Sequence, residues 1–385
     1  MVSTEYPPMT GGIGRYTANL VNALKKKGIE VIVVSNEKGN GDYKGISPEN
    51  KLTSEILLKF VNDIKPDVVH IQFEPGLYGL YISPVDPWKI KTNIDYFYDN
   101  CKIPIITTFH SAYTFHEWMG QVFYIRKTGK TGKLGIPARA LVKGWKNLVS
   151  YRPFIKFNKK KLKQSYAGIC FSNYISNLLG GGLNIIYHGA EPLISLNLSK
   201  EEAKQKFSIP LDKKIAVTVG FRTVTKGWDI LDKVKLPDDW LIISNSAKSH
   251  YNKESYYDAL DKDKVIDLQR GFLSEEDLSV LFRASDTVLL PYRITSGSGV
   301  MFDALAHGLP FVASDLEFFK EFAKMDLGIV AKRNPKSFEY AMDVLVKNYD
   351  RYKTVVDNFK VHLKWLSVAD QHIKLYNNAI KHYKA

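Results

Sequence analysis

The chain has 385 residues, 45% of them hydrophobic, and sets 54 Lys and Arg against 40 Asp and Glu for a formal net charge of +14. That length exceeds one ordinary domain and suits two α/β domains of roughly 180 residues each. Two cysteines, Cys101 and Cys170, argue against a disulfide framework and for a reducing cytoplasm, and no apolar run approaches the ~18 residues of a membrane-spanning helix.

Val2-Ser3-Thr4-Glu5-Tyr6-Pro7-Pro8 reads as the tail of a first strand entering a loop. Only about three residues precede that loop, fewer than a buried strand needs, so the strand is a stub or the start lies upstream of Met1. Gly11-Gly12-Ile13-Gly14-Arg15 opens a helix with Ile13, Tyr16, Leu20 and Leu24 on one face and Gly28 at its end. Nearly continuous apolar runs at 30–35 and 67–73 predict parallel strands buried on both faces. The second delivers Glu74 to a strand's carboxyl end, where α/β sites form; it either orients an acceptor hydroxyl or caps a loop. The next strand, 104–109, ends at His110-Ser111.

The charge is concentrated. No Asp or Glu occurs from Trp118 to Ala190, while 13 Lys and Arg fall between Arg126 and Lys163. Within the basic segment 121–165, Ala138, Leu141, Val142, Trp145, Leu148 and Val149 recur at helical spacing beside Arg139, Lys143 and Lys146. A basic amphipathic helix with an interfacial Trp suits an anionic membrane surface; the alternative is an apolar stripe that packs on its own domain. Nucleic acid is not expected, because no recognised binding module accompanies the charge. Strands at 167–172 and 184–188 follow.

A strand at 214–220 precedes Phe221-Arg222-Thr-Val-Thr-Lys226-Gly227 and an amphipathic helix around Ile230 and Leu231. Strands at 240–244 and 265–268 lead to Arg270-Gly271-Phe272-Leu273 and a helix at 278–284. Val288 to Leu290 is a buried strand, Ser296-Gly297-Ser298-Gly299 a loop that lets backbone approach a ligand, and Val300 to Ala306 a helix stopped by Gly308. Backbone N–H groups at such a helix start, around Ser298, Gly299 and Val300, suit a phosphate. Asp303 lies about one turn inside the helix, and 365–383 closes the chain with a helical period.

The stretch 287–315 resembles the nucleotide-sugar motif of retaining glycosyltransferases of family four, which have the GT-B fold. Ala304, Gly308-Leu309-Pro310 and Ala313-Ser314 match; Thr295 and Asp303 stand where the family has two glutamates. The resemblance implies an α/β architecture of two Rossmann-like parallel-sheet domains facing across a cleft. They are an acceptor-side domain at 1–190, a nucleotide-sugar domain at 191–364 that begins after the His188-Gly189-Ala190-Glu191-Pro192 turn, and a helix at 365–385 crossing back to the first domain.

The same resemblance assigns roles. Gly11, Gly12, Arg222, Lys226, Ser298, Gly299 and Val300 face the donor diphosphate, and His110, Thr295, Ser296 and Gly297 the donor sugar. Asp303 bridges ribose hydroxyls, Arg270, Gly271 and Phe272 hold the base, and Glu321 is structural. Arg222, Lys226 and His110 are the catalytic group, the two cations neutralising charge on the departing diphosphate. The expected reaction is a same-face transfer from a UDP- or GDP-linked sugar to an acceptor hydroxyl, on a glycan or lipid-linked acceptor, without cofactor or metal. It is placed in the cytoplasm at the inner face of the membrane, in contact with anionic lipid through 126–163. A non-catalytic GT-B-like nucleotide- or membrane-binding subunit is the alternative, since the acidic pair is altered. With a neutral Thr295 in an anion's place, donor-sugar recognition is expected to differ, either toward a less usual sugar or with contacts borrowed from Ser296, Ser298 and His110.

Overall fold

The structure, a computed structural model, describes residues 1–83, 85–124, 135–193, 198–247 and 265–384. They form two compact units, Met1–Gly189 with Trp365–Ala385, and Ala190–Lys364.

The first unit opens with α1 (Gly12–Lys26), the parallel pair β1 (Val34–Ser35) and β2 (Tyr43–Lys44), α2 (Thr53–Ile64) and β3 (Val69–Phe73). A short antiparallel pair, β4 (Tyr81–Ile82) and β5 (Ile90–Lys91), precedes α3 (Asp95–Asn100) and β6 (Ile105–Phe109). Then come α4 (Phe115–Tyr124), α5 (Gly135–Lys163), β7 (Ala167–Cys170), α6 (Asn173–Leu178) and β8 (Asn184–Ile185). Strands β3, β6, β7 and β8 lie side by side in that order, all parallel. Every residue of β3 and β6 is buried, including the polar His70, Gln72, Thr107 and Thr108, whose side chains find hydrogen-bond partners inside the unit.

In the opening segment Val2 bridges Val34 on one side and Ile71 on the other. The strand expected over 30–35 is shorter. Pairing with the opening segment ends at Val34, whose N–H donates to the Met1 carbonyl, and only Val34–Ser35 is a strand.

The second unit carries α7 (Lys200–Lys206), β9 (Lys214–Phe221), β10 (Trp240–Ala247), β11 (Val265–Asp267), α8 (Glu275–Arg283) and β12 (Thr287–Leu290). It continues with α9 (Gly299–Ala306), β13 (Phe311–Ser314), α10 (Glu317–Ala323), β14 (Gly328–Ala331), α11 (Pro335–Lys347) and α12 (Tyr349–Phe359). Its six strands are all parallel in the order β11-β10-β9-β12-β13-β14. The order reverses between β9 and β12, and in open α/β sheets ligands bind outside the carboxyl ends of strands at such a point. The helix expected around Ile230 is a tight turn at Trp228–Lys233 instead, with Gly227 in the left-handed region at φ 67° before it.

The chain then rejoins the first unit as α13 (Trp365–Lys384). It packs along α1, and Lys27 reaches Asp370 at 2.8 Å.

Candidate functional site

In the second unit, two loops leave the carboxyl ends of the strands at the reversal point. After β9 runs 222–227, and after β12 runs 291–298. Their main chains are tied, the Arg293 N–H donating to the Thr225 carbonyl at 2.8 Å. Arg333 holds the first loop from below: its guanidinium donates to the Pro291 carbonyl at 3.1 Å and the Gly227 carbonyl at 2.9 Å, and pairs with Asp229. Asp229 also pairs with Arg293.

Lys226 projects from this frame with its ammonium 3.8 Å from the centroid of the Tyr292 ring. Among the described residues it has no carboxylate partner. Tyr292 is buried, and its hydroxyl accepts from the Ser298 hydroxyl at 3.4 Å. Ser298 is the N-cap of α9, accepting from the Met301 N–H at 3.2 Å. The chain Lys226–Tyr292–Ser298 therefore brings an uncompensated cation to the start of a helix whose dipole also favours an anion.

Thr295 is turned inward. Its hydroxyl donates to the Gly297 carbonyl at 2.5 Å and lies 3.2 Å from the Gly297 N–H, closing the loop on itself. Thr295, Ser296 and Ser298 are buried, while Gly297, Gly299 and Val300 are half-buried. The helix start thus presents main chain more than side chain.

Two further residues with assigned roles have partners or surroundings within the unit. Arg222, expected at the diphosphate, is half-buried and paired with Asp267, which also accepts from the Ser244 hydroxyl at 2.8 Å. An arginine held this way is largely neutralised before any ligand arrives. Asp303, expected at the ribose, is buried within α9 at 2% exposure, because the helix turns that residue toward the core. The base loop is ordered by Asn245, whose side chain accepts from the Arg270 N–H at 3.0 Å and donates to the Gly271 carbonyl at 2.9 Å. Gly271 has φ 75°, and Phe272 is half exposed against Phe221. Arg270 itself stacks over Phe207, 4.5 Å from the ring.

In the first unit, His110 follows β6, its N–H donating to the Phe73 carbonyl at 3.0 Å. Its Nε2 lies 2.8 Å from Gln72 Oε1, and its ring meets Tyr16 and Phe171 edge-on at 5.3 and 5.2 Å. Burial, reinforced by the neighbouring His188, pushes its pKa down to about 3, so the imidazole is neutral. Glu74 follows β3 and accepts from the Ser111 hydroxyl. Burial raises its pKa against the pull of Ser111 and the Gly76 N–H.

Gly11 and Gly12, expected at the diphosphate, meet an internal anion. The Glu5 carboxylate accepts from the N–H groups of Ile13 at 3.0 Å and Gly14 at 2.9 Å, and a Cβ at Gly11 would lie 1.9 Å from Glu5 Oε1. A side chain at position 11 would displace the Glu5 carboxylate, and the first turn of α1 already has that carboxylate.

Helix α5 is anchored through its later half. Trp118 and Phe154 stack with ring centroids 4.3 Å apart, and the buried Lys161 lies 2.9 Å from Asp95. Its earlier half shows Leu141 (74% exposed), Val142, Trp145 (65%) and Leu148 largely to the outside. The segment 125–134 and the side chains of 121–140, including Arg139, lie outside the described residues.

Residues 10–143 match the model Glycosyltransferase Family 4, and residues 199–361 match Glycosyl transferases group 1. The chain belongs to the family-four glycosyltransferases of the GT-B fold. A curated relative, an uncharacterized glycosyltransferase of Methanocaldococcus jannaschii, is 23% identical over 407 residues, covering 99% of this chain and 98% of its own. A glycosyltransferase from Rickettsia africae superposes with a TM-score of 0.66 at 14% identity, over 99% and 98% of the two chains. Anabaena HepE in complex with UDP does so at 0.64 and 12% identity, over 98% and 99%.

The residues of this glycosyltransferase that sequence reasoning missed are Tyr292, Asp229, Arg293, Arg333, Asn245 and Asp267. Tyr292 and Arg293 directly follow a buried strand at the reversal point, a position that could have flagged them. Arg333 and Asn245 carry no local signal.

Proposed function

We propose that this glycosyltransferase is a retaining, metal-independent enzyme that moves a sugar from a UDP- or GDP-linked donor to a hydroxyl of a lipid-linked or membrane-surface glycan. The observation that carries the reading is Lys226, an uncompensated cation fixed by Tyr292 beside the Ser298-capped start of α9. Two features of this chain favour phosphate there: the positive charge and the main chain of Gly297, Gly299 and Val300. A bound HepE–UDP complex of the same fold supports a nucleotide donor.

In the reaction, the bond from the anomeric carbon to the phosphate oxygen breaks while the acceptor oxygen bonds to the same face. The departing phosphate oxygen takes the acceptor's proton, so no carboxylate nucleophile is required. Lys226 stabilises the charge that develops on that oxygen. Neutral His110 meets a donor-sugar hydroxyl, and Glu74 sits on the acceptor side. Thr295, Ser296 and Gly297 line the sugar end of the loop, and Phe272 faces the base.

For the acceptor, the exposed Leu141, Val142, Trp145 and Leu148 beside Lys143 and Lys146 favour an anionic lipid surface at the inner face of the membrane. None of the helices among the described residues is long and apolar enough to cross a membrane.

Titration with UDP and GDP tests the donor site. One of them is expected to bind, and Lys226→Ala is expected to lower turnover on the order of 10²-fold, as loss of one charge-stabilising donor does. If neither nucleotide binds, the reading fails. Sedimentation with phosphatidylglycerol–phosphatidylcholine vesicles tests the surface. Binding at low salt that weakens at high salt is expected, and its absence at low salt refutes the membrane contact.

A further inference from the structure

We propose that Gln72 is a positioning residue for His110, locking it as the Nε2–H tautomer so that its Nδ1 faces the donor as a hydrogen-bond acceptor. The proposal rests on the reading of His110 as a donor-sugar contact.

The geometry leaves little freedom. Gln72 and Thr108 are register partners on the adjacent strands β3 and β6, and His110 lies two residues beyond Thr108. The amide oxygen of Gln72 accepts only, so at 2.8 Å from His110 Nε2 it requires a proton on that nitrogen. The amide orientation is itself fixed. Gln72 Nε2 faces the Met1 thioether at 3.2 Å, which can only accept, and His70 Nε2 at 3.4 Å.

The next imidazole extends the chain of constraints. With the Gln72 amide N–H at 3.4 Å and the Thr108 hydroxyl at 2.8 Å sharing its single lone pair, His70 Nε2 is the unprotonated nitrogen and accepts chiefly from Thr108. His70 Nδ1 then carries the hydrogen and donates to the Tyr376 hydroxyl on α13 at 2.6 Å. His70 is kept neutral by burial and by the neighbouring His372 and His110, and its pKa lies well below the usual value. One donor direction therefore runs from His110 to Gln72, from Gln72 to His70, and from His70 to Tyr376.

The consequence sits at the other ring nitrogen. His110 Nδ1 has no hydrogen-bond partner among the described residues. Tyr16, Phe171 and His188 pack around the ring, and none of them satisfies that nitrogen. An acceptor held neutral and immobile takes an O–H from a sugar hydroxyl without the reorganisation a freely rotating imidazole would need. Without Gln72 the two tautomers compete, and the Nδ1–H form presents a donor instead of an acceptor to the same hydroxyl.

Long-range proton–nitrogen NMR of the imidazole-labelled enzyme reads the tautomer directly. A single Nε2–H form of His110, neutral at pH 6, is expected in the wild type. A predominant Nδ1–H form, a mixture, or a cation at pH 6 overturns the proposal, and this measurement needs no variant. Gln72→Leu is expected to mix the tautomers and lower kcat/KM for the donor about tenfold, the worth of one buried hydrogen bond. Gln72→Glu keeps the acceptor but raises the His110 pKa. It should restore the rate on the alkaline side and add an acid limb that the wild type lacks, a change that a purely structural role for Gln72 would not produce. If the tautomer is as stated and Gln72→Leu leaves donor kinetics unchanged, the lock stands and the donor-contact role of His110 falls.

Discussion

His372 offers a test of how burial controls charge in the first unit. It lies on α13, is 0% exposed, and donates from Nδ1 to the Val368 carbonyl at 2.8 Å, while its Nε2 is buried without a partner. Its ring lies 5.5 Å from that of His70 and 6.2 Å from that of Tyr376. Burial drives its pKa from 6.5 to about 4 against the opposing pull of Val368. Because the folded value is depressed, the unfolded chain takes the proton first. The stability that neutral His372 provides is therefore complete above pH 6.5 and is lost as pH falls toward 4. At pH 5 the unfolded side chain is protonated over about 1.5 pH units of difference, which costs the native state about 2 kcal/mol. His372→Leu removes this term and the unsatisfied Nε2 together. Urea unfolding followed by fluorescence, with Trp118 and Trp365 in this unit as reporters, is the assay. The variant should match or exceed the wild type at pH 7.5 and gain about 2 kcal/mol on it at pH 5. Identical pH dependence in the two proteins would show that His372 titrates normally and that the reasoning from burial is wrong.

Gly227→Ala should destabilise the second unit by about 3 kcal/mol or more in urea, since φ 67° is unfavourable for a side chain and a Cβ would sit 2.0 Å from the Pro291 carbonyl. Turnover should fall with it, because the same shift displaces Lys226; a variant of normal stability would refute the packing argument. Thr295→Val should cost about 1–2 kcal/mol by removing the hydroxyl bonds to Gly297, and Thr295→Ser should retain them. Thr295→Glu should lower both stability and rate, since it buries a carboxylate where a turn is closed; a rate equal to the wild type would refute that role.

The parallel sheet of the second unit was legible because strands buried on both faces leave apolar runs such as that within Thr287–Leu290. Helix α9 and its Ser298 cap were legible for a similar reason, since a small-residue loop, an apolar helix and Gly308 follow one another within one short stretch. Arg222 has a partner that local sequence does not announce. Its position after β9 is that of a ligand contact, but Asp267 sits at the end of β11 across the sheet and claims the guanidinium. That pairing depends on strand order, which local sequence does not carry. The turn at Trp228–Lys233 has the same origin, since Asp229 is held by Arg293 and Arg333 from distant loops. The stripe on α5 was visible in the sequence; its outward direction was not, because periodicity gives a face and not the face's neighbour.

Two Gly-rich helix starts in this chain look alike in sequence and differ in charge. At α1 the Glu5 carboxylate occupies the first-turn N–H groups of Ile13 and Gly14. An anion at a helix N-terminus is worth about 0.3–1 kcal/mol at exposed sites and up to ~2 kcal/mol when partly buried, so an external phosphate at α1 would have to displace a covalently tethered competitor and leave its charge buried. At α9 the cap is the neutral Ser298 hydroxyl, no acid stands in the first turn, and Lys226 adds a positive charge that no described carboxylate offsets. The same backbone geometry therefore serves two ends. One start is closed by its own sequence and fixes the loop at 5–14, and the other is left electrostatically incomplete. On the proposed function, the leaving nucleoside diphosphate is the anion that completes it.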